Sequence, residues 1–107
     1  MQVLYDLYEI LAARKAEFTE GSYTCYLFSQ GLDKILKKVG EETAETIIAA
    51  KNGDKEGSVS EVADLLFHLL VMLKEQGIDL ADLEAELCRR REKQGNLKVF
   101  TKSDKNT

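Results

Sequence analysis

Apolar residues recur along this chain at spacings of three and four, the period of an α-helix that lies against a core. Val3, Leu4, Leu7, Leu11 and Phe18 fall near one face and predict a first amphipathic helix over 2–18. Glu20-Gly21-Ser22 breaks it, and Ser22 or Thr24 can cap a short following turn. A second long helix is predicted over 31–51, with Leu32, Ile35, Leu36, Val39, Ile47 and Ala50 as its apolar stripe. Asn52-Gly53-Asp54 ends it, Gly53 suiting the left-handed position after a helix. The third, over 55–76, is the most hydrophobic segment. There Val62, Leu65, Leu66, Leu69, Leu70 and Leu73 predict a wide buried face that stops at Gln76-Gly77. Asp79 then caps a fourth helix, 80–94, which buries Leu80, Leu83 and Leu87 and places Asp82 where its charge suits the helix dipole. The pattern is all-α: an antiparallel bundle of four main helices over 1–94, then a polar tail, 95–107, without periodicity and expected to be mobile.

Composition narrows the class of function. A chain of 107 residues makes one domain with a single, modest core. A net charge of −4 argues against a general nucleic-acid binder, which would carry a basic excess. It leaves room for a polyphosphate ligand whose charge a metal balances. Cys25 and Cys88 form no Cys-x-x-Cys motif and have no histidines at ligand spacing, which points to reduced thiols in a cytoplasmic protein. Asp6 and Glu9 interrupt the N-terminal apolar residues, so no signal peptide is expected. No stretch reaches the roughly 18 apolar residues that a membrane span needs.

The chemistry lies in two acidic pairs, Glu42-x-x-Glu45 and Glu61-x-x-Asp64, on consecutive predicted helices. A spacing of three puts each pair side by side on one helical face. Taking Leu32 as zero, Glu42 and Glu45 fall at about 280° and 220°; taking Val62 as zero, Glu61 and Asp64 fall at about 260° and 200°. Both pairs thus occupy the same shoulder of their helices, and antiparallel packing can bring four carboxylates together. Such a cluster repels itself unless cations occupy it, and its oxygen donors suit Mg²⁺. An ordinary reading stays open beside this one. Acidic pairs are frequent in a chain with 19 acidic residues, Ser58-x-x-Glu61 matches a capping box, and Glu42 and Glu41 can pair with Lys38 and Lys37.

Neighbouring residues extend the picture. Lys34 and Lys38 share the shoulder of Glu42 and Glu45, which suits a polyphosphate but also a solvated lysine face. Gly40, inside the helix, suggests a close approach by backbone or ligand. His68, one turn past Asp64, reads as a packed or hydrogen-bonded residue. Arg89-Arg90-Arg91 suits a helix C-terminus as well as it suits phosphate. The Glu-x-x-His signature of di-iron bundles, a P-loop and any recognisable nucleophile motif are all missing, which leaves metal-assisted hydrolysis of a phosphoanhydride.

Three segments carry a resemblance: Gly21-Ser22-Tyr23-Thr24, Leu32 to Glu42 (LDKILKKVGEE), and Glu61 to Leu70 (EVADLLFHLL). Together they resemble the phosphoribosyl-ATP pyrophosphatases, a branch of the all-α nucleotide pyrophosphohydrolase (MazG-like) superfamily. That superfamily's signature is Glu-x-x-Glu, a gap, then Glu-x-x-Asp, and the fifteen residues between Glu45 and Glu61 fit the gap. The similarity covers roughly residues 4–93. It departs at Ala16-Glu17-Phe18-Thr19-Glu20, where relatives often carry an aspartate-proline turn. The resemblance implies Mg²⁺-dependent hydrolysis of phosphoribosyl-ATP to phosphoribosyl-AMP and pyrophosphate, the second step of histidine biosynthesis, by a homodimer whose helices complete the bundle. It implies Glu42, Glu45, Glu61 and Asp64 as metal ligands with Glu41 at or just behind them, and favours Lys34 and Lys38 as phosphate contacts. On the mechanism it suggests, Glu41 or Glu45 takes the proton of the attacking water. The alternatives are a house-cleaning nucleoside triphosphate pyrophosphatase of the same superfamily and a helical dimerisation module without activity.

Overall fold

The computed structural model describes residues 1–95 and places five helices there: α1 (Gln2–Ala16), α2 (Tyr23–Gln30), α3 (Leu32–Lys51), α4 (Lys55–Glu75) and α5 (Leu80–Gly95). Among the described residues there is no strand, as the all-α pattern predicts. The expected tail beyond Gly95 lies outside the described residues.

An antiparallel hairpin of α3 and α4 is the centre of the molecule, and the turn between them explains itself locally. Gly53 takes φ 66°, the left-handed conformation that a glycine enters at no steric cost. The amides of Gly53 and Asp54 then reach back to the carbonyls of Ala50 and Ala49, both at 3.1 Å, satisfying the frayed end of α3. Asp54 opens α4: its carboxylate accepts from the Gly57 amide at 2.9 Å. A Cβ at position 57 would fall 2.1 Å from that carboxylate, so the cap works with glycine there. A side-chain cap of this kind stabilises a helix by about 1 kcal/mol. The expected capping box is therefore not formed. Ser58 lies inside α4, and Glu61 is released from any capping duty.

At the other end of the chain the expected turn after Gly21 is a full helix, α2. Ser22 caps it by accepting from the Cys25 amide at 3.2 Å, and Thr24 sits inside it. Cys25 is buried; its sulfur accepts from the Thr19 amide at 3.3 Å and lies 3.4 Å from the Arg14 carbonyl. That thiol holds the divergent segment before Gly21 against α1. Both cysteines are free.

The core is Leu11, Leu27, Ile35, Leu70, Val71 and Leu80, one or two residues from each helix. On α1 the buried face is Leu4, Tyr5, Tyr8 and Leu11, while Val3 and Leu7 point outward and Phe18 lies past the helix end. The tyrosines win these places because their hydroxyls find partners, Tyr5 donating to Glu84 and Tyr8 to the Ile78 carbonyl. Leu80 is the one buried residue of α5, which Tyr5 also holds through Glu84. Leu83 and Leu87, expected to be buried, are exposed.

The central hairpin departs from expectation in the same direction. Leu36, Ile47, Val62 and Leu66 are exposed, as is Ala50, whereas the buried residues of α3 are Ile35, Glu42 and Ala49. One copy of the chain covers only one side of α3 and α4. The seven-residue spacing of Ile35, Glu42 and Ala49 identifies that side, and it carries a glutamate in the middle.

Candidate functional site

Glu42 is one of only two buried polar residues among the described residues, the other being His68, and both lie on the hairpin. Across the hairpin α4 presents Glu61, and one turn along α3 stands Glu45. Carboxylate oxygens of Glu42, Glu45 and Glu61 all lie within 4.8 Å of one another. The predicted convergence of the two helices is therefore real for three of its four members. Asp64 is exposed and outside that close group, though near enough for its charge to act on Glu42.

The energetics of this cluster are unfavourable as it stands. The Oε2 atoms of Glu42 and Glu61 are both shielded from solvent and accept no hydrogen bond. Buried carboxylate oxygens are ordinarily paired, and leaving them unpaired is costly. Loss of hydration, followed by the nearness of Glu45 and Glu42, pushes the Glu61 carboxyl up to about 7. Burial, then Glu45 and Asp64, likewise raises Glu42. Hard oxygen donors, mutual repulsion and two orphaned buried oxygens together fit a divalent cation of the Mg²⁺ type.

Glu41 stands apart from this group. It faces solvent and pairs with Lys38 at 3.1 Å, and that ammonium holds its carboxyl below the usual range. The pairings read from sequence, Glu42 with Lys38 and Glu41 with Lys37, are not the ones formed: Lys38 engages Glu41 instead and leaves Glu42 without an ion pair. Lys38 also lies within electrostatic reach of Glu42 and Tyr23, and Lys34 within reach of Glu41. Lys38 thus borders the cluster, and Lys34 lies near the outlying Glu41. Gly40 is open on all sides: a Cβ there would meet nothing within 4 Å beyond its own helix, so no backbone approach accounts for it.

His68 supports the site from beneath. Its Nδ1 lies 2.7 Å from the Asp64 carbonyl, which can only accept, so Nδ1 carries the proton. Nε2 is then the lone-pair nitrogen, and the Tyr23 hydroxyl, 2.9 Å away, donates to it. The ring is held edge-on by Phe67 at 5.0 Å and Tyr23 at 5.8 Å. This histidine ties α2 to the turn of α4 that carries Asp64. Its position one turn past Asp64 was visible in the sequence. Tyr23 as its partner was not, because the contact spans 45 residues.

Comparison with known proteins places the chain in a family. The model of the family described as phosphoribosyl-ATP pyrophosphohydrolase matches residues 4–91. A phosphoribosyl-ATP pyrophosphatase of Limosilactobacillus fermentum is 59% identical over 90 residues, covering 84% of this chain and 85% of the relative. One from Listeria welshimeri is 60% identical over 88 residues, covering 82% and 84%. One from Clostridium novyi is 48% identical over 98 residues, covering 92% and 89%. With the family model spanning nearly all the described helices and relatives this similar over most of both chains, the chain belongs to the phosphoribosyl-ATP pyrophosphohydrolase family.

Proposed function

We propose that this chain hydrolyses phosphoribosyl-ATP to phosphoribosyl-AMP and pyrophosphate, the second step of histidine biosynthesis, with Mg²⁺ held by Glu42, Glu45 and Glu61 and completed by Asp64. The observation that carries the reading is the convergence of three carboxylates, two with buried and unpaired oxygens, in a member of this family. Mg²⁺ bound there would neutralise triphosphate charge and lower the pKa of the attacking water. The protein's own groups do the rest. Lys38, beside Glu42, and Lys34, near Glu41, supply positive charge along the polyphosphate. Glu45, exposed at the edge of the cluster, accepts the proton of the water that attacks the α-phosphorus. Glu41 suits that role less, because Lys38 keeps it a weak base. His68, through the Asp64 carbonyl, fixes the turn from which Asp64 projects.

The expected result is release of pyrophosphate from phosphoribosyl-ATP, and not from dUTP or dCTP, in the presence of Mg²⁺. Equal or preferred turnover of the simple triphosphates would transfer the chain to the house-cleaning reading. No helix among the described residues is long and apolar enough to cross a membrane. With a net charge of −4, a cytoplasmic enzyme acting on a small molecule and not on nucleic acid fits best.

A homodimer belongs to the same proposal. Val59, Val62 and Leu66 are exposed at one-turn spacings on α4 and line an apolar depression of about 410 Å³ with Ala63. An apolar strip on the central hairpin is costly to leave in water, and a second copy of the hairpin would bury it. Leu66→Asp is expected to convert a dimer to a monomer in sedimentation equilibrium while leaving the helical signal in place. A wild-type chain that sediments as a monomer at micromolar concentration would remove the dimer from the account.

A further inference from the structure

The triphosphate end of the proposed substrate is accounted for by carboxylates and lysines; its base is not. Beside the cluster lies a second recess of about 460 Å³, lined by Phe18, Gly21, Ser22, Tyr23, Tyr26 and Ser29. Three aromatic rings border it, each substantially exposed: Phe18 at 68%, Tyr23 at 46% and Tyr26 at 43%. Exposed aromatic faces grouped around one concavity are unusual unless something flat covers them. No charged side chain lines the recess, so phosphate has no partner there, whereas a heteroaromatic ring can stack and a sugar can meet the serine hydroxyls.

Tyr23 connects this recess to the carboxylates. Its ring lies 6.3 Å from that of Tyr26 at an interplanar angle of 26°, forming one stacked wall. Its hydroxyl donates to His68, whose other nitrogen holds the Asp64 carbonyl. One side chain therefore borders both places, and a nucleotide whose phosphates reach the glutamates has this recess beside it for the opposite end. We propose that the Phe18–Tyr23–Tyr26 recess seats the purine base of the substrate by aromatic stacking, making Tyr26 and Phe18 specificity-determining residues of the site.

The inference rests on the proposed hydrolysis of phosphoribosyl-ATP, and its test separates the two. Stacking on an aromatic side chain contributes about 1–3 kcal/mol per base. Tyr26→Ala is therefore expected to raise KM for phosphoribosyl-ATP on the order of tenfold with kcat near its wild-type value, and Tyr26→Phe to restore KM. A readout independent of turnover is intrinsic fluorescence, because the chain has four tyrosines and no tryptophan. AMP titrated into the metal-free full chain is expected to quench tyrosine emission saturably, and inorganic pyrophosphate is not. If Tyr26→Ala loses its helical signal, Phe18→Ala reads the same recess from a residue beyond the end of α1. Wild-type turnover with KM unchanged in the folded alanine variant overturns the base site alone. Quenching by AMP with no wild-type turnover of phosphoribosyl-ATP supports the base site and overturns the proposed reaction.

Discussion

Glu42→Gln is expected to abolish turnover and, at the same time, to raise the melting temperature of the metal-free protein. The two effects come from one cause. Glu42 is 7% exposed, its Oε2 has no partner, and burial with Glu45 and Asp64 nearby disfavours its charge. In a folded chain without a cation this carboxylate is a liability. An amide of the same shape removes the charge and offers N–H donors to the neighbouring carboxylates of Glu45 and Glu61, so the apo fold gains. The same change deletes the most buried donor of the cation site. Loss of a supporting partner around a metal ligand typically costs about 10–100-fold, and loss of the ligand itself should exceed that. Steady-state pyrophosphate release and thermal melts followed by circular dichroism check the pair. A variant that turns over normally, or one that melts lower without metal, would mean that Glu42 has an ordinary structural role.

This opposition of stability and function bears on how far the sequence could be read. The helical period placed all four main helices, and the glycines at 53 and 77 marked their ends, because amphipathicity and left-handed termini are local properties. The carboxylate spacing named four residues, of which Glu42, Glu45 and Glu61 converge and Asp64 stays outside the close group. Depth was not legible. A wheel drawn on Leu32 put Glu42 on a shoulder, but which side of α3 is inside depends on what packs there, and Ile35, Glu42 and Ala49 share that side. The same reason explains Val62 and Leu66. Their apolar character was plain, but whether the covering surface comes from this chain or from another copy is a tertiary fact. The capping box at Ser58 failed because Asp54 with Gly57 offered an earlier cap, a pairing whose signal was present and outweighed by the more familiar motif. The Tyr23–His68 hydrogen bond and the recess beside it join residues far apart in sequence, where periodicity carries no information.

The central claim is that Glu42, Glu45 and Glu61 form a cation site, and the linkage between protons, metal and folding tests it. With its folded-state pKa near 7 against an ordinary 4.5, Glu61 takes up a proton more readily in the folded chain than in the unfolded one. Its contribution to stability is therefore complete below the ordinary value and is lost as pH rises through about 7. Metal-free protein should melt lower at pH 8 than at pH 6, and Glu61→Gln should flatten that difference. Mg²⁺ needs the deprotonated carboxylates, so its stabilising effect should be larger at pH 8. At a concentration about 100 times its Kd it would add about 2.7 kcal/mol, on the order of 10 °C in Tm for a domain of this size. The decisive measurement is the melting temperature with and without Mg²⁺ at pH 6 and pH 8, for the wild type and Glu61→Gln. The account predicts a metal-free Tm that falls with pH and a Mg²⁺ rescue that is greatest at pH 8 and lost in the variant. A wild-type Tm that is indifferent to Mg²⁺ at both pH values, or the same rescue in Glu61→Gln, would contradict it.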